Sequence, residues 1–238
     1  MPVWSLHHTE PYPQRPYIFF AAFCEQEAVN ELDEEIPFPV GAEIAAMQAS
    51  HFRTGASWER VRQEQPALAA AIEKSSLAVT LHGTIVSHDS LDFLKEAIDI
   101  MAALVELGAV GVYDAITGNW YTADNWTEMV EQGSIFNPFD HVVTLRTEQP
   151  DGTTEMKTQG LRKFARPDLW IRGVATADVE RVSKMFDRFV NHLALGGILE
   201  PQREVQMEGW TAKYRPSEVQ GGPEDPAFHN TYVEFRPV

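Results

Sequence analysis

Apolar residues along the chain fall into short runs and two long helical stripes, separated by polar, proline-marked and glycine-marked breaks. Tyr17–Phe23 is a short aromatic and apolar run that predicts a buried strand. Glu25–Glu35 is acidic and reads either as a polar loop or as a short exposed helix, ended by Pro37 and Pro39. Glu43–Ala49 and Trp58–Lys74 predict helices, the second with Ser57 as N-cap, Glu59 in its first turn and a kink or break at Pro66. Leu77–Leu81 follows as a strand. Asp89 is placed to cap a helix running to Leu107, with Leu94, Ile98, Met101 and Val105 spaced as one buried stripe and Gly108 at its end. Ala109–Tyr113 predicts a strand, Thr117-Gly118-Asn119 a turn into Trp120–Tyr121, and Ala123–Glu131 a helix.

Beyond Asn137-Pro138, His141–Glu148 and Thr153–Thr158 form a predicted hairpin across Pro150-Asp151-Gly152. Leu169–Arg172 is a further strand. Ala177–Leu195 carries the second stripe, Val179, Val182, Phe186, Phe189 and Leu193, with Thr176 as N-cap and Gly196-Gly197 as stop. Strands around Val205–Tyr214 and Thr231–Phe235, separated by a polar loop at Ser217–Asp225, finish the chain. Strands and helices thus alternate loosely, with one hairpin. The expected class is α+β, mostly antiparallel sheets with long helices packed on one face. Two ferredoxin-like halves fit this order, because each half has a long helix crossing between strands, although no internal repeat marks a duplication. The expected organisation is an extended, poorly packed segment over 1–16, one half over 17–136 and another over 137–238, or one continuous domain.

Charge changes the picture more than composition does. The chain has 238 residues with 44% hydrophobic and 23% charged side chains, ordinary for a globular protein, but a net charge of −16. Residues 1–159 hold 8 basic and 24 acidic side chains, whereas 160–215 hold 10 basic and 7 acidic. So acidic a chain repels phosphate backbones and anionic membrane surfaces, so neither nucleic acid nor membrane is an expected partner. The basic island at 160–215 reads either as a surface that attracts the acidic remainder or as an anion site. The lone Cys24 allows no intramolecular disulfide, the N-terminus has no signal-peptide pattern, and no apolar run is long enough to span a bilayer, so the expected location is the cytoplasm.

Two stretches carry a resemblance. Leu94–Tyr121 reads LKEAIDIMAALVELGAVGVYDAITGNWY, and Thr158–Leu169 reads TQGLRKFARPDL, followed by the helix Asp178–Leu199. In this order and at this separation they resemble a bacterial family known as domain of unknown function 4261, over about Leu77–Leu199. The family pattern has glycine where this chain has Ala165, glutamate where it has Asp168, and often an aromatic where it has Asp114. The resemblance implies no established activity, and no catalytic residue is carried over from it.

Candidate chemistry centres on Gly160, Arg162, Lys163 and Arg166. A strand ends in a glycine, which lets backbone approach a ligand or take positive φ, and then presents Arg162 and Lys163, with Arg166 just beyond; Arg162 and Arg166 could fork a carboxylate or phosphate. The other reading is a tight bend with Leu161 and Phe164 buried and the cations paired to acidic groups. His82 and His88, with Asp89 and Asp92 nearby, are metal-type residues at a spacing that arises by chance, and no metal is expected. Cys24 precedes Glu25 and Glu27, which disfavour a thiolate, and reads as a small buried hydrophobe. His7-His8 falls in the loose lead-in with no local role. Trp58, Trp120, Tyr121 and Trp126 either lid a cleft or pack the core. No phosphate-binding loop, nucleophile elbow or dinucleotide fingerprint is present, and no cofactor is expected. Two functions remain in view. One is a binding or interaction module, with a protein partner or a second copy of the chain. The other is an enzyme acting on a small anionic substrate held by Arg162, Lys163 and Arg166, with His82 or His141 as general base.

Overall fold

The computed structural model describes residues 3–8, 13–24, 39–86, 89–132, 135–200, 204, 214–219 and 230–237. The chain is an α+β protein of two compact units, Met1–Trp4 with Tyr17–Phe136, and Ser5–Pro16 with Asn137–Val238. Glu25–Glu35, His88 and residues 205–213 lie outside the described residues.

The first unit contains strands β1 (Tyr17–Cys24), β2 (Ala42–Gln48), β3 (Leu77–Thr84), β4 (Gly111–Asp114) and β5 (Asn119–Thr122). Its helices are α1 (Gly55–Glu64), α2 (Pro66–Lys74), α3 (Asp92–Glu106) and α4 (Ala123–Gln132). The sheet order is β2-β3-β1-β4-β5, and every pairing is antiparallel. The central strand β1 is apolar on both of its faces, so both must be covered. Ala21 and Phe23 pack with Trp58 and Val61 of α1 and Leu68, Ala69 and Ile72 of α2. On the opposite parity, Phe20 meets Trp126 of α4, whose indole Nε1 donates to the Ile98 carbonyl of α3. Helices therefore lie on both faces of this sheet, not on one, because a strand without a polar face cannot leave either side to water.

The second unit contains β6 (Val143–Glu148), β7 (Thr154–Gln159), β8 (Asp168–Val174), β9 (Tyr214–Val219), β10 (Tyr232–Pro237) and α5 (Val179–Ala194). Its order is β6-β7-β8-β10-β9, an antiparallel meander joined to a parallel β8–β10 pair. Phe186 and Phe189 of α5 pack on Phe235 of β10. Among the described residues, β3 and β4 flank β1 and are joined by α3, and α5 follows β8 before the chain returns to the sheet as β9 and β10.

Several elements differ from their sequence pattern. Glu43–Ala49 is not a helix. Its residues form β2, whose seven positions pair without interruption against β3, so sheet pairing overrides the helical propensity of an alanine-rich segment. Pro66 starts a new helix at its first position, where its missing N–H costs nothing. Helix α1 starts after Thr54 rather than at Ser57; the Ser57 hydroxyl instead accepts from Trp120 Nε1 at 2.6 Å and donates to the Gly118 carbonyl at 3.0 Å. Helix α3 starts at Asp92, not after Asp89. The Asp92 carboxylate accepts the N–H groups of Val3 and Trp4 at 2.9 and 2.8 Å, which draws Trp4 into the core. In the second unit, a 3-10 turn at Thr176–Asp178 precedes α5. His7 and His8, far from idle, donate their backbone N–H groups to the Leu195 carbonyl at the C-terminal end of α5.

Candidate functional site

The loop between β7 and β8 holds the four candidate residues, and its path is set by two unusual backbone positions. Gly160 has φ 129°, and a Cβ there would lie 2.3 Å from the His141 carbonyl oxygen and 2.8 Å from the Val142 Cα. Only glycine fits so close a backbone approach. A 3-10 turn, Leu161–Phe164, follows, and Ala165 closes it in the left-handed region at φ 56°. Leu161 and Phe164 are buried, anchoring the loop from below.

The polar side chains of this loop turn inward. Asp168, at the start of β8, accepts from Thr158 Oγ1 at 3.0 Å, from the Leu161 N–H at 3.2 Å and from Asn230 Nδ2 at 2.8 Å. Thr158 Oγ1 in turn accepts the Leu169 N–H at 2.8 Å, and Asn230 Nδ2 also reaches the Arg166 carbonyl at 2.8 Å. Arg166 spends its guanidinium on main-chain carbonyls: Nε on Gly197 at 2.6 Å, Nη2 on Gly196 and Nη1 on Ala165 at 3.2 Å. It thereby ties its own loop to the glycine pair that follows the end of α5. Lys163 is wholly enclosed, with 0% exposure, and its charge acts on both His141 and Asp168.

Burial governs protonation here. It pushes the Asp168 carboxyl up to about 6, against the hydrogen bonds and the Lys163 charge that pull it down. It also holds His141 well below the ordinary imidazole value, an effect the Lys163 cation reinforces. His141 is therefore a neutral imidazole at pH 7, enclosed next to an ammonium.

The structure thus brings Gly160, Lys163 and Arg166 into one polar knot of the fold, and leaves Arg162 partly exposed. Lys163 and Arg166 are buried, so the fork expected from Arg162 and Arg166 has one arm turned into the fold and one partly exposed. Thr158, Asp168 and Asn230 belong to the knot; the sequence pattern marks Asp168 only as a departure from the family pattern and marks neither Thr158 nor Asn230 as a site residue. Thr158 and Asp168 stand at the two ends of the TQGLRKFARPDL stretch, whereas Asn230 is reached only through the β8–β10 pairing.

The remaining candidates lie in the first unit. His82 Nε2 is 3.0 Å from Glu43 Oε1, and its ring lies 5.1 Å from that of Phe19. Among the described residues no three His, Cys, Asp or Glu side chains gather as a metal site. Cys24 is buried, and burial raises its thiol pKa, which opposes thiolate chemistry. Trp120 is a core residue, stacked on Tyr113 at 4.2 Å and on Phe23 at 5.4 Å. Its edge borders a polar notch of about 290 Å³ shared with Arg60, Val61, Glu64, Gln65 and Asn119. Arg60 spends Nη2 there on the Gly118 carbonyl at 2.6 Å. The notch is small, polar and open, without the enclosed apolar walls of a small-molecule pocket.

Comparison of the chain with family models, with curated proteins and with solved structures finds no match in any of the three.

Proposed function

We propose that this chain is an interaction module of a bacterial cytoplasm, related to domain of unknown function 4261, that docks a basic protein partner. The observation that carries the reading is the enclosure of Lys163 and Arg166. Of the cations an anion-binding enzyme would need, Arg166 is committed to carbonyls of the β7–β8 loop and of the glycine pair after α5, and Lys163 is enclosed. What the molecule presents outward is an excess of negative charge, −16 overall, which steers basic partners and repels acidic ones. The left-handed backbone at Ala165 also supports the relationship, since it falls where the family pattern has glycine. Among the described residues no helix is long and apolar enough to cross a membrane.

The test is affinity capture from a bacterial lysate at low and at high salt, followed by reconstitution from purified components. A stoichiometric basic partner whose association weakens with salt supports the reading; absence of any such partner at both salt levels removes it. The enzyme reading retains one supporting feature, the partly exposed Arg162 on the loop that also carries Lys163. Thermal stabilisation by phosphates or carboxylates that disappears in Arg162→Ala would favour it instead.

A further inference from the structure

Each sheet ends on two edge strands, β2 and β5 in the first and β6 and β9 in the second. An open edge exposes a row of backbone donors and acceptors, and proteins ordinarily guard such edges with lysine, proline, bulges or short length. Among the described residues no strand pairs with the outer edge of β2, and the strand itself carries no lysine, proline or bulge. It runs for seven residues, Ala-Glu-Ile-Ala-Ala-Met-Gln, and keeps unbroken register with β3 from Ala42↔Gly83 to Gln48↔Leu77. β5 has only four residues, and β6 carries charges of both signs, Arg146 and Glu148, in its exposed half, where β2 carries Glu43 alone.

The chemistry around β2 is two-sided. Period-two alternation puts Ala42, Ile44 and Ala46 on one face and Glu43, Ala45 and Met47 on the other. Ile44 is 42% exposed, and beyond the strand's start Val40 and Val86 are 64% and 52% exposed. Val86 N–H donates to the Val40 carbonyl at 2.9 Å, so the two valines form one apolar corner. On the other face Glu43 is the strand's only charge, and its side chain is 73% exposed.

We infer that β2 is a docking edge that takes an extended segment of a partner protein as an added strand, one whose side chains alternate apolar and basic. The partner's backbone continues the ladder, its apolar side chains cover Ile44 and the valine corner, and its cations face Glu43 and the wider negative field. A second copy of this chain fits less well, because pairing would join two molecules of −16 charge each. The inference rests on the interaction reading above and adds the surface and the backbone mode of recognition.

The experiment uses the full chain and three end-capped synthetic peptides: one alternating valine and lysine, one alternating valine and glutamate, and the valine–lysine peptide N-methylated at alternate amides. Binding is followed by fluorescence anisotropy, and amide hydrogen exchange is followed across Ala42–Gln48. Binding of the valine–lysine peptide, slowed exchange in β2, and at least a roughly tenfold weakening on N-methylation are expected, since several ladder bonds are lost. The glutamate peptide should not bind. The N-methylated peptide probes the edge without altering the protein, so the result does not depend on whether a β2 variant folds. Equal binding of the methylated peptide, or binding with no protection in β2, overturns the edge proposal while leaving the charge-steered reading standing. Absence of binding by any peptide, or dimerisation of the chain through β2 seen by light scattering, also overturns it. Failure of the interaction reading itself would show separately, as the lack of a stoichiometric partner in the lysate.

Discussion

At the residue scale, the molecule's most unusual feature is the enclosure of Asp168, His141 and Lys163, and it sets opposed dependences on pH. The Asp168 carboxyl is raised from 3.8 to about 6 in the fold, so between these values the folded chain holds a proton that the unfolded chain has released. Its contribution to stability is complete below pH 3.8 and is lost as pH rises to 6. His141 is lowered from 6.5, so the unfolded chain takes up a proton that the folded chain refuses. Its contribution is present above pH 6.5 and is lost as pH falls. As pH falls from about 6 the two groups act in opposite directions, Asp168 adding stability and His141 removing it. Urea unfolding across this range should therefore separate them. Relative to the parent chain, Asp168→Asn should lose stability more steeply on acidification, and His141→Gln should lose it less steeply or gain. Parallel profiles for all three chains would mean that the two groups are not enclosed as described. The neighbouring backbone gives a second pair of opposite signs. Gly160→Ala forces a Cβ to 2.3 Å from the His141 carbonyl at positive φ and should cost several kcal/mol, about 3 or more. Ala165→Gly relieves a left-handed alanine and should raise stability by about 1 kcal/mol, measured by the same unfolding curves.

At the scale of elements, Arg166 decides between a site and a joint. If its guanidinium holds the carbonyls of Ala165, Gly196 and Gly197, Arg166→Ala should destabilise the second unit by about 3 kcal/mol and speed amide exchange at the end of α5. Arg166→Lys should rescue little, because an ammonium cannot span the carbonyls that the planar fork reaches. An anion site would behave differently, keeping its stability and losing ligand. The same elements show what sequence can and cannot convey. The stripes of α3 and α5, Leu94-Ile98-Met101 and Val182-Phe186-Leu193, are legible because a helix buries one face at a fixed local period. The hairpin of β6 and β7 is legible because Asp151 and Gly152 fix its turn locally, the Asp151 carboxylate accepting from the Thr153 N–H at 2.9 Å and Gly152 adopting φ 81°. β2 is not legible, because its strand state comes from pairing with residues 29 to 41 positions further along the chain rather than from its own alanines. In the β7–β8 loop the special role of Gly160 shows in sequence as a glycine after a strand. The inward turn of Arg166 does not, because its environment is made by Asn230 and by the carbonyls of Gly196 and Gly197, nor does the enclosure of Lys163 beside His141 and Asp168. Cations close together in sequence look like a site whether they face water or the interior.

At the scale of the whole molecule, the net charge of −16 acts on stability as well as on association. Mutual repulsion among 35 carboxylates, set against 19 cations, favours expansion, and the folded chain holds these charges closer than the unfolded chain does. Salt screens the repulsion over about 10 Å at 0.1 M. The midpoint of thermal unfolding at pH 7 should therefore rise by a few degrees as sodium chloride goes from about 0.01 to about 0.3 M, a range over which the screening length shortens severalfold. The favourable pairs it weakens, such as Arg62 with Glu59 and Arg181 with Asp178, are exposed helix-surface pairs of small individual worth and do not reverse the sign. Replacing exposed acidic residues of the first unit, Glu59 and Glu106 among them, by glutamine should raise the low-salt midpoint and flatten the salt dependence together. A midpoint that falls with salt in the parent chain would mean that attractive pairs, not the net charge, dominate the surface. It would also remove the field that steers a basic partner toward β2, because stability and steering draw on the same unbalanced charge.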